Sequence, residues 1–229
     1  MNLKTLSIII PVYNEKNTIA EILRRVASVN LSPIQKQIII VDDGSTDKTP
    51  EILEKLSSEY LVLRHQKNLG KGAAIKTALP HLTGDYAIIQ DADLEYDPAD
   101  WPRMLTVMDE NTAAVYGSRN LGNAGRGYFH YYFGGRSLTF ITNLFFGSHL
   151  TDINTGYKLF RTDFLKSLNL KSNGFEFCEE VTCKILKRGG LIKEVPVRYQ
   201  PRTFKEGKKI SFKDGLIGIW TILKYRFKI

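Results

Sequence analysis

Cysteine is scarce in this sequence, which has only Cys178 and Cys183 among 229 residues. Two thiols five positions apart are too few for the disulfide framework of a small secreted domain, so we expect a reducing compartment. The apolar run over residues 1–10 stops at Pro11 without a small-residue cleavage site. This pattern predicts a strand rather than a signal peptide.

Long hydrophobic runs are also missing. No stretch reaches the roughly 18 uninterrupted apolar residues that a membrane-spanning helix requires. The longest uncharged run, residues 137–151, contains Asn143 and His149. Internal repeats and low-complexity linkers are not found either, and the length fits one large domain. We therefore expect any membrane contact to be peripheral.

Acidic residues do not balance the basic ones: 24 Asp and Glu stand against 32 Lys and Arg, a formal net charge of +8. This excess favours phosphates, an anionic membrane surface or nucleic acid as partners. The sequence has no aromatic-basic surface motif of the kind that single-strand binders use, so nucleic acid is not expected.

Apolar strands alternate with amphipathic helices along the first half of the chain. Residues 6–12 form a continuous apolar strand, and Ile19, Ile22, Leu23 and Val26 then have helical spacing. Further strands are predicted at 37–41, 61–63, 86–89 and 113–116. The alternation predicts an α/β fold of Rossmann type, with a mostly parallel sheet and helices on both faces.

The C-terminal segment, residues 212–229, is predicted to be an amphipathic helix that follows a domain of residues 1–211. One stripe of it carries Phe212, Leu216, Ile219, Trp220, Leu223 and Phe227. The aromatic segment 128–133 and a helical face of Leu138, Ile141 and Phe145 have a similar character. Both regions suit helices in a lipid headgroup layer, and packing against the sheet as ordinary core is the alternative.

Closely spaced acids follow the apolar strand 86–89. Asp91 and Asp93 lie on one side of an extended backbone, and the small Ala92 between them allows close approach. Ligands of parallel α/β sheets bind beyond the carboxyl ends of strands. Oxygen-only ligands suit Mg²⁺ or Mn²⁺, so a shared divalent cation is predicted here. An acidic surface turn closed by Asp97 and Pro98 is the alternative.

Three motifs, in this order, resemble a family 2 glycosyltransferase of the GT-A fold. They are Ser7-Ile8-Ile9-Ile10-Pro11-Val12-Tyr13-Asn14-Glu15, Val41-Asp42-Asp43-Gly44-Ser45-Thr46-Asp47 and Asp91-Ala92-Asp93. Segments 116–119, 151–157 and 194–209 are similar to the polyprenyl-phosphate branch, the dolichol-phosphate mannose synthase-like enzymes. The resemblance implies metal-dependent, inverting transfer of a hexose from a nucleotide sugar of GDP-mannose or UDP-glucose type to a dolichyl or undecaprenyl phosphate.

The resemblance also implies which residues act. The donor half, about 1–120, would hold the nucleotide, and the acceptor half, about 121–211, the lipid phosphate. Asp91 and Asp93 would bind the metal, with Glu95 as a third ligand. The remaining residues expected to contact the donor are Pro11, Tyr13, Glu15, Val41, Asp43, Ala92, Arg119, Arg202 and Lys209.

Two further residues are expected on the acceptor side by the same resemblance. Arg136, like Arg119, would face phosphates, because a guanidinium fork suits phosphate geometry. Asp152 would orient the acceptor, or act as base towards a hydroxyl, and turn capping is the alternative. Lys208 stands where mannose-transferring relatives commonly have Ser, which leaves the donor open. Lys71, beside glycines at a helix start, is expected to be an exposed lysine, and binding to an anion is the alternative.

The acceptor decides whether a base is needed. A sugar hydroxyl must lose a proton during attack, whereas a lipid phosphate is already anionic at pH 7. The predicted acceptor is the phosphate, and the predicted location is the cytoplasmic face of the membrane. A saccharide acceptor and a non-catalytic nucleotide-binding module are the rival hypotheses. The oligomeric state stays open.

Overall fold

A computed structural model describes residues 4–121, 129–202 and 212–227, with the backbone alone described at 129–133 and 212. The strands are β1 (Thr5–Val12), β2 (Gln35–Asp42), β3 (Leu61–Arg64), β4 (Tyr86–Ile89), β5 (Thr112–Ser118), β6 (Lys158–Arg161) and β7 (Leu191–Pro196). The helices are α1 (Ile19–Ser28), α2 (Thr49–Glu54), α3 (Lys71–Ala78), α4 (Trp101–Thr106), α5 (Phe129–Phe146), α6 (Thr162–Ser167), α7 (Phe177–Lys187) and α8 (Phe212–Phe227).

The seven strands form one sheet in the order β3-β2-β1-β4-β6-β5-β7. β1 pairs in parallel with β2 and with β4, so their carboxyl ends meet at one edge. Two apolar clusters cover the two faces of the sheet, one with α1 and α4 and the other with α3 and α7. The predicted mostly parallel α/β fold, with helices on both faces, is confirmed.

β6 runs antiparallel between β4 and β5, with Lys158 paired to Ile89 and to Tyr116. Because β6 is reversed, its beginning lies beside the end of β4. The loop before it, residues 151–157, therefore reaches the same edge as the acids that follow β4.

Helix α8 packs on α5 and α7 around Leu138, Cys183 and Ile222. Its inner face is formed by Gly218, Thr221 and Ile222, all buried. Part of the predicted apolar stripe points outwards instead, and Trp220 is 54% exposed. Within the described residues, no helix has the length and apolar character needed to cross a membrane.

Candidate active site

Asp43, the acid directly after β2, lies on the donor side of the site. Asp43 is buried, and its Oδ1 accepts hydrogen bonds from Leu69 N at 2.8 Å and from His65 Nδ1 at 2.7 Å. Its Oδ2 accepts from Gly70 N at 2.8 Å. Asp43 therefore holds the loop that leads into α3. The hydrogen bonds of Asp43 thus fix the position of a loop on the donor side.

Glu15, after β1, is also buried and held from two directions. Its backbone N–H donates to Thr49 Oγ1 at 2.9 Å. The Glu15 carboxylate binds the Arg202 guanidinium through both oxygens, at 3.0 and 2.7 Å. Two residues predicted to contact the donor thus meet as a forked ion pair.

The remaining donor-side residues lie at the same carboxyl edge of the sheet. Pro11 and Tyr13 are half-buried at the end of β1 and just after it. Val41, near the end of β2, and Ala92, between the two acids, are buried. The structure thus places together the residues of the three motifs.

Lys71 contradicts its predicted exposure. Its side chain is only 17% exposed, and Nζ lies 2.5 Å from Asp91 Oδ1. Burial opposes the charge, yet the carboxylate of Asp91 raises the pKa of Lys71 above its usual value. The reason for this placement is the anchoring of Leu69 and Gly70 by Asp43, which directs the N-terminus of α3 towards the end of β4.

Asp93 is a poorly neutralised acid. Burial first, and then the charges of Asp91 and Glu95, raise the pKa of Asp93 to about 7. Its Oδ1 accepts one hydrogen bond, from Glu95 N at 3.1 Å. A buried carboxylate beside two other anions is stabilised by a cation, and an all-oxygen donor set fits Mg²⁺ or Mn²⁺. The Asp91/Asp93 pair therefore fits the predicted metal.

Glu95 does not fit the predicted third ligand position. Its Oε2 accepts from Tyr199 Oη at 3.0 Å, and its Oε1 accepts from Arg202 N at 2.7 Å. Both oxygens thus hold the segment 199–202 over the site. In the described ranges, no three Asp, Glu, His or Cys side chains form a group that could hold a metal.

On the acceptor side, Asp152, which is buried, and Arg119, which is 27% exposed, form a two-pronged ion pair. Arg119 Nε and Nη2 donate to the two Asp152 oxygens at 2.7 and 2.8 Å, and Arg119 N adds a bond of 3.1 Å. Burial opposes ionisation, but the Arg119 charge and these bonds lower the pKa of Asp152. A carboxylate held this way is a weak base. Arg119 also lies over the Tyr199 ring, at 5.2 Å.

Two residues that the sequence analysis missed hold the loop 151–157. Glu194 accepts from the backbone N–H groups of Thr151 and Asp152, at 2.7 and 3.0 Å. Lys158, fully buried, donates to the carbonyls of Ile153 and Thr155, at 2.8 and 2.5 Å. The sequence signal that could have revealed this role is a lysine at the start of an apolar strand.

The same loop also touches the acids. Gly156 packs so tightly against the Asp91 carboxylate and the Tyr96 ring that a side chain there would collide with both. The Gly156 N–H donates to Tyr96 Oη at 2.9 Å. The loop that carries Asp152 is therefore in direct contact with the predicted metal ligands.

The two other predicted basic residues are not placed in this site by the structure. Arg136 lies exposed on α5. Lys209 lies outside the described residues, as does Lys208.

Comparison with known proteins identifies the family. The profile described as glycosyl transferase family 2 matches residues 7–168. The hexosyltransferase Agl6 of low-salt glycan biosynthesis in Haloferax volcanii is 31% identical over 92% of this chain and 51% of its own. The undecaprenyl-phosphate 4-deoxy-4-formamido-L-arabinose transferase of Edwardsiella ictaluri is 35% identical over 48% of this chain and 35% of its own.

The chain thus spans between about a third and about half of the length of these relatives. The fold is shared with the glucosyl-3-phosphoglycerate synthase of Mycobacterium tuberculosis, solved with UDP. That structure has a TM-score of 0.75 at 20% identity, over 97% of this chain and 80% of the synthase. Since the family profile matches most of the chain, including all three motifs, the protein belongs to glycosyl transferase family 2.

Proposed function

We propose that this glycosyltransferase moves a hexose from a nucleotide diphosphate sugar to a polyprenyl phosphate, with inversion at the anomeric carbon. The observation that carries the proposal is the Arg119–Asp152 pair. Asp152 is the best candidate for a base from the sequence. However, both of its carboxylate oxygens bind the Arg119 guanidinium and its pKa is lowered, which makes it a weak base. An acceptor that is already anionic needs no base, and a phosphate is such an acceptor.

Charge on the acceptor side agrees with this choice. A lipid phosphate approaching a donor diphosphate brings a second anion, which must be offset by cations. Arg119 offers the remaining edge of its guanidinium, and we assign Arg136 and Lys209 to the same phosphate. The Edwardsiella relative is named as an undecaprenyl-phosphate transferase, which supports this acceptor class.

On the donor side, we assign the nucleotide to the edge formed by Pro11, Tyr13, Glu15 and Val41, with Asp43 and Ala92 behind it. Lys71 and Arg202 are placed to bind the diphosphate, since each already pairs with a carboxylate of this edge. Asp91 and Asp93 would hold Mg²⁺ or Mn²⁺, which supplies positive charge to the departing nucleotide. The mycobacterial synthase was solved with Mn²⁺ and UDP-glucose, which supports this donor class.

We propose a membrane surface as the place of reaction. Large apolar side chains are exposed on the outer faces of two packed helices, Phe140 and Leu144 on α5 and Leu216, Ile217, Trp220 and Phe227 on α8. Exposed Lys213, Lys224 and Arg226 accompany them on α8. Apolar side chains beside cations suit an anionic headgroup layer. We place this surface at the cytoplasmic face, with the catalytic domain of residues 1–211 above it and α8 as the contacting helix.

The test uses a matched pair of acceptors. The full chain is incubated with radiolabelled UDP-glucose or GDP-mannose, with Mg²⁺ or Mn²⁺, and with either a short polyprenyl phosphate or the corresponding polyprenol. We expect transfer to the phosphate alone, loss of transfer with chelator, and a β-linked product by NMR. Transfer to the polyprenol or to a saccharide, with the phosphate inert, would contradict the proposal.

A further inference from the structure

A buried carboxylate lies between helix α8 and the loop 151–157. Glu179, on α7, is only 2% exposed, and its Oε1 accepts a hydrogen bond from Asn154 Nδ2 at 2.5 Å. Asn154 Oδ1 is buried and has no hydrogen-bond partner among the described residues. The bond to Glu179 therefore orients this side-chain amide, two residues from Asp152.

Helix α8 reaches Glu179 at a glycine. A Cβ added to Gly218 would lie 3.1 Å from Glu179 Oε1 and 3.2 Å from Leu138 Cδ2. A side chain at position 218 would therefore press on Glu179 and Leu138, and α8 or these side chains would have to shift by a few tenths of an ångström. Gly215, about one turn earlier on the same helix, would meet no atom within 4 Å.

The helix and the loop also belong to one apolar cluster. Ile153, between Asp152 and Asn154, is fully buried in the cluster that contains Leu138 of α5 and Ile222 of α8. Lys158 binds the carbonyls of Ile153 and Thr155. The loop is thus held by Lys158, by Glu179 through Asn154, and by the apolar cluster that it shares with α8.

We propose that Glu179 is a positioning residue through which the seating of helix α8 sets the loop that carries Asp152. The proposal rests on the assignment of the Arg119–Asp152 pair to the acceptor side. The role assigned to Glu179 involves no contact with a reacting atom. When α8 is displaced from Glu179, Asn154 loses its partner, and the loop no longer presents the pair to the acceptor in one geometry.

A purely space-filling role for Glu179 would not explain the carboxyl group. Burying a polar group is unfavourable unless it is hydrogen-bonded, and an apolar side chain would fill the same volume without that penalty. What the carboxyl group adds is an acceptor for Asn154. Because a protonated carboxyl or an amide also offers a carbonyl oxygen, the role requires an acceptor rather than a negative charge.

The experiment compares Gly218→Val with Gly215→Val in the full chain. Both place the same β-branched residue in α8, but only the first collides with Glu179. The acceptor is whichever one the wild type uses, so failure of the polyprenyl phosphate proposal is seen in the wild type before any variant is compared. Steady-state kinetics give kcat and KM for the acceptor, and titration calorimetry gives Kd for UDP or GDP.

We expect Gly218→Val to lower kcat/KM for the acceptor about tenfold, a change typical of coupling through packed contacts, with the nucleotide Kd within about twofold of wild type. Gly215→Val should stay within about twofold in both quantities. Equal effects of the two valines on kcat/KM would overturn the proposal.

A second pair of variants decides the matter if a valine prevents folding. Glu179→Leu removes the acceptor for Asn154 and should show the same loss in kcat/KM, whereas Glu179→Gln keeps an acceptor and should restore most of it. Glu179→Leu with wild-type kcat/KM, or Glu179→Gln as poor as Glu179→Leu, would refute the role of this hydrogen bond.

Discussion

The buried carboxyl of Glu179 should make the stability of the protein depend on pH. Burial raises the pKa of Glu179 from 4.5 to about 7. In the unfolded chain the group ionises near its ordinary value, so between these two pH values the native state holds a proton that the unfolded state has lost. Stability therefore falls as pH rises through this interval and changes no further above it.

The size of the effect follows from the same two values. At about 1.4 kcal/mol per pH unit, the interval from 4.5 to about 7 corresponds to about 3 kcal/mol. About 2.5 kcal/mol of this should fall between pH 5 and pH 8, since part is already lost at pH 5. Glu179→Gln cannot ionise and keeps an acceptor for Asn154, so it removes this pH dependence.

Urea unfolding of wild type and Glu179→Gln at pH 5 and pH 8 measures the effect. The free-energy difference between the two proteins should shift by about 2.5 kcal/mol in favour of the glutamine variant on going from pH 5 to pH 8. Other titrating groups cancel in this comparison because both proteins contain them. A shift below about 0.5 kcal/mol would show that the carboxylate is hydrated or compensated, and would refute the reasoning.

Four further predictions test the site. Asp93→Ala should abolish metal-dependent transfer with an unchanged circular dichroism spectrum, and turnover that persists with chelator would count against the metal role. Asp152→Asn leaves the guanidinium of Arg119, which is 27% exposed, without a countercharge; urea unfolding should show a loss of about 2–3 kcal/mol, less than for a fully buried pair, and a change below about 1 kcal/mol would be inconsistent with the pair. Arg136→Ala should raise the acceptor KM far more than the nucleotide Kd, and equal losses would contradict its assignment. Trp220→Gln should reduce sedimentation with anionic vesicles at least threefold, as expected for about 1 kcal/mol or more of lost apolar burial. The control is Leu61→Gln, since Leu61 is an exposed apolar residue on β3, away from α8. Equal sedimentation of the two variants would argue against α8 as the contact.

The sequence alone was sufficient to predict the sheet and its acidic edge. β1, β4 and the second half of β2 are largely buried, so they consist mostly of apolar residues, and each is followed by the polar residues of its loop. Parallel pairing then fixes where these loops meet. These features depend on local pattern and on general rules of α/β topology.

Contacts between distant residues could not be predicted in this way. Glu15 and Arg202 are 187 positions apart, and their pairing depends on the path of the segment that Glu95 holds. Lys71 looked like an exposed lysine because its partner, Asp91, lies on another loop. Each ion pair is a property of the assembled sheet edge.

The buried face of helix α8 could not be predicted from the sequence, for a different reason. The hydrophobic stripe that contains Trp220 suited either a headgroup layer or the core, and the structure leaves Trp220 exposed, whereas the buried face of α8 contains Gly218 and Thr221. Close helix packing selects small side chains at the contact, whereas a hydrophobic pattern counts only apolar character. An exposed apolar stripe has the same periodicity as a buried one, so periodicity could not tell them apart.

The ion pairs Lys71–Asp91 and Arg202–Glu15 have a thermodynamic consequence for ligand binding. On the proposed assignment, a diphosphate that binds Lys71 or Arg202 leaves the carboxylate of Asp91 or Glu15 without its cation. A divalent ion that binds Asp91 leaves the Lys71 ammonium group without its carboxylate. When both ligands bind, the metal compensates the charge of Asp91 and the diphosphate compensates the charge of Lys71. Their affinities should therefore be linked reciprocally, each ligand tightening the binding of the other by the same factor.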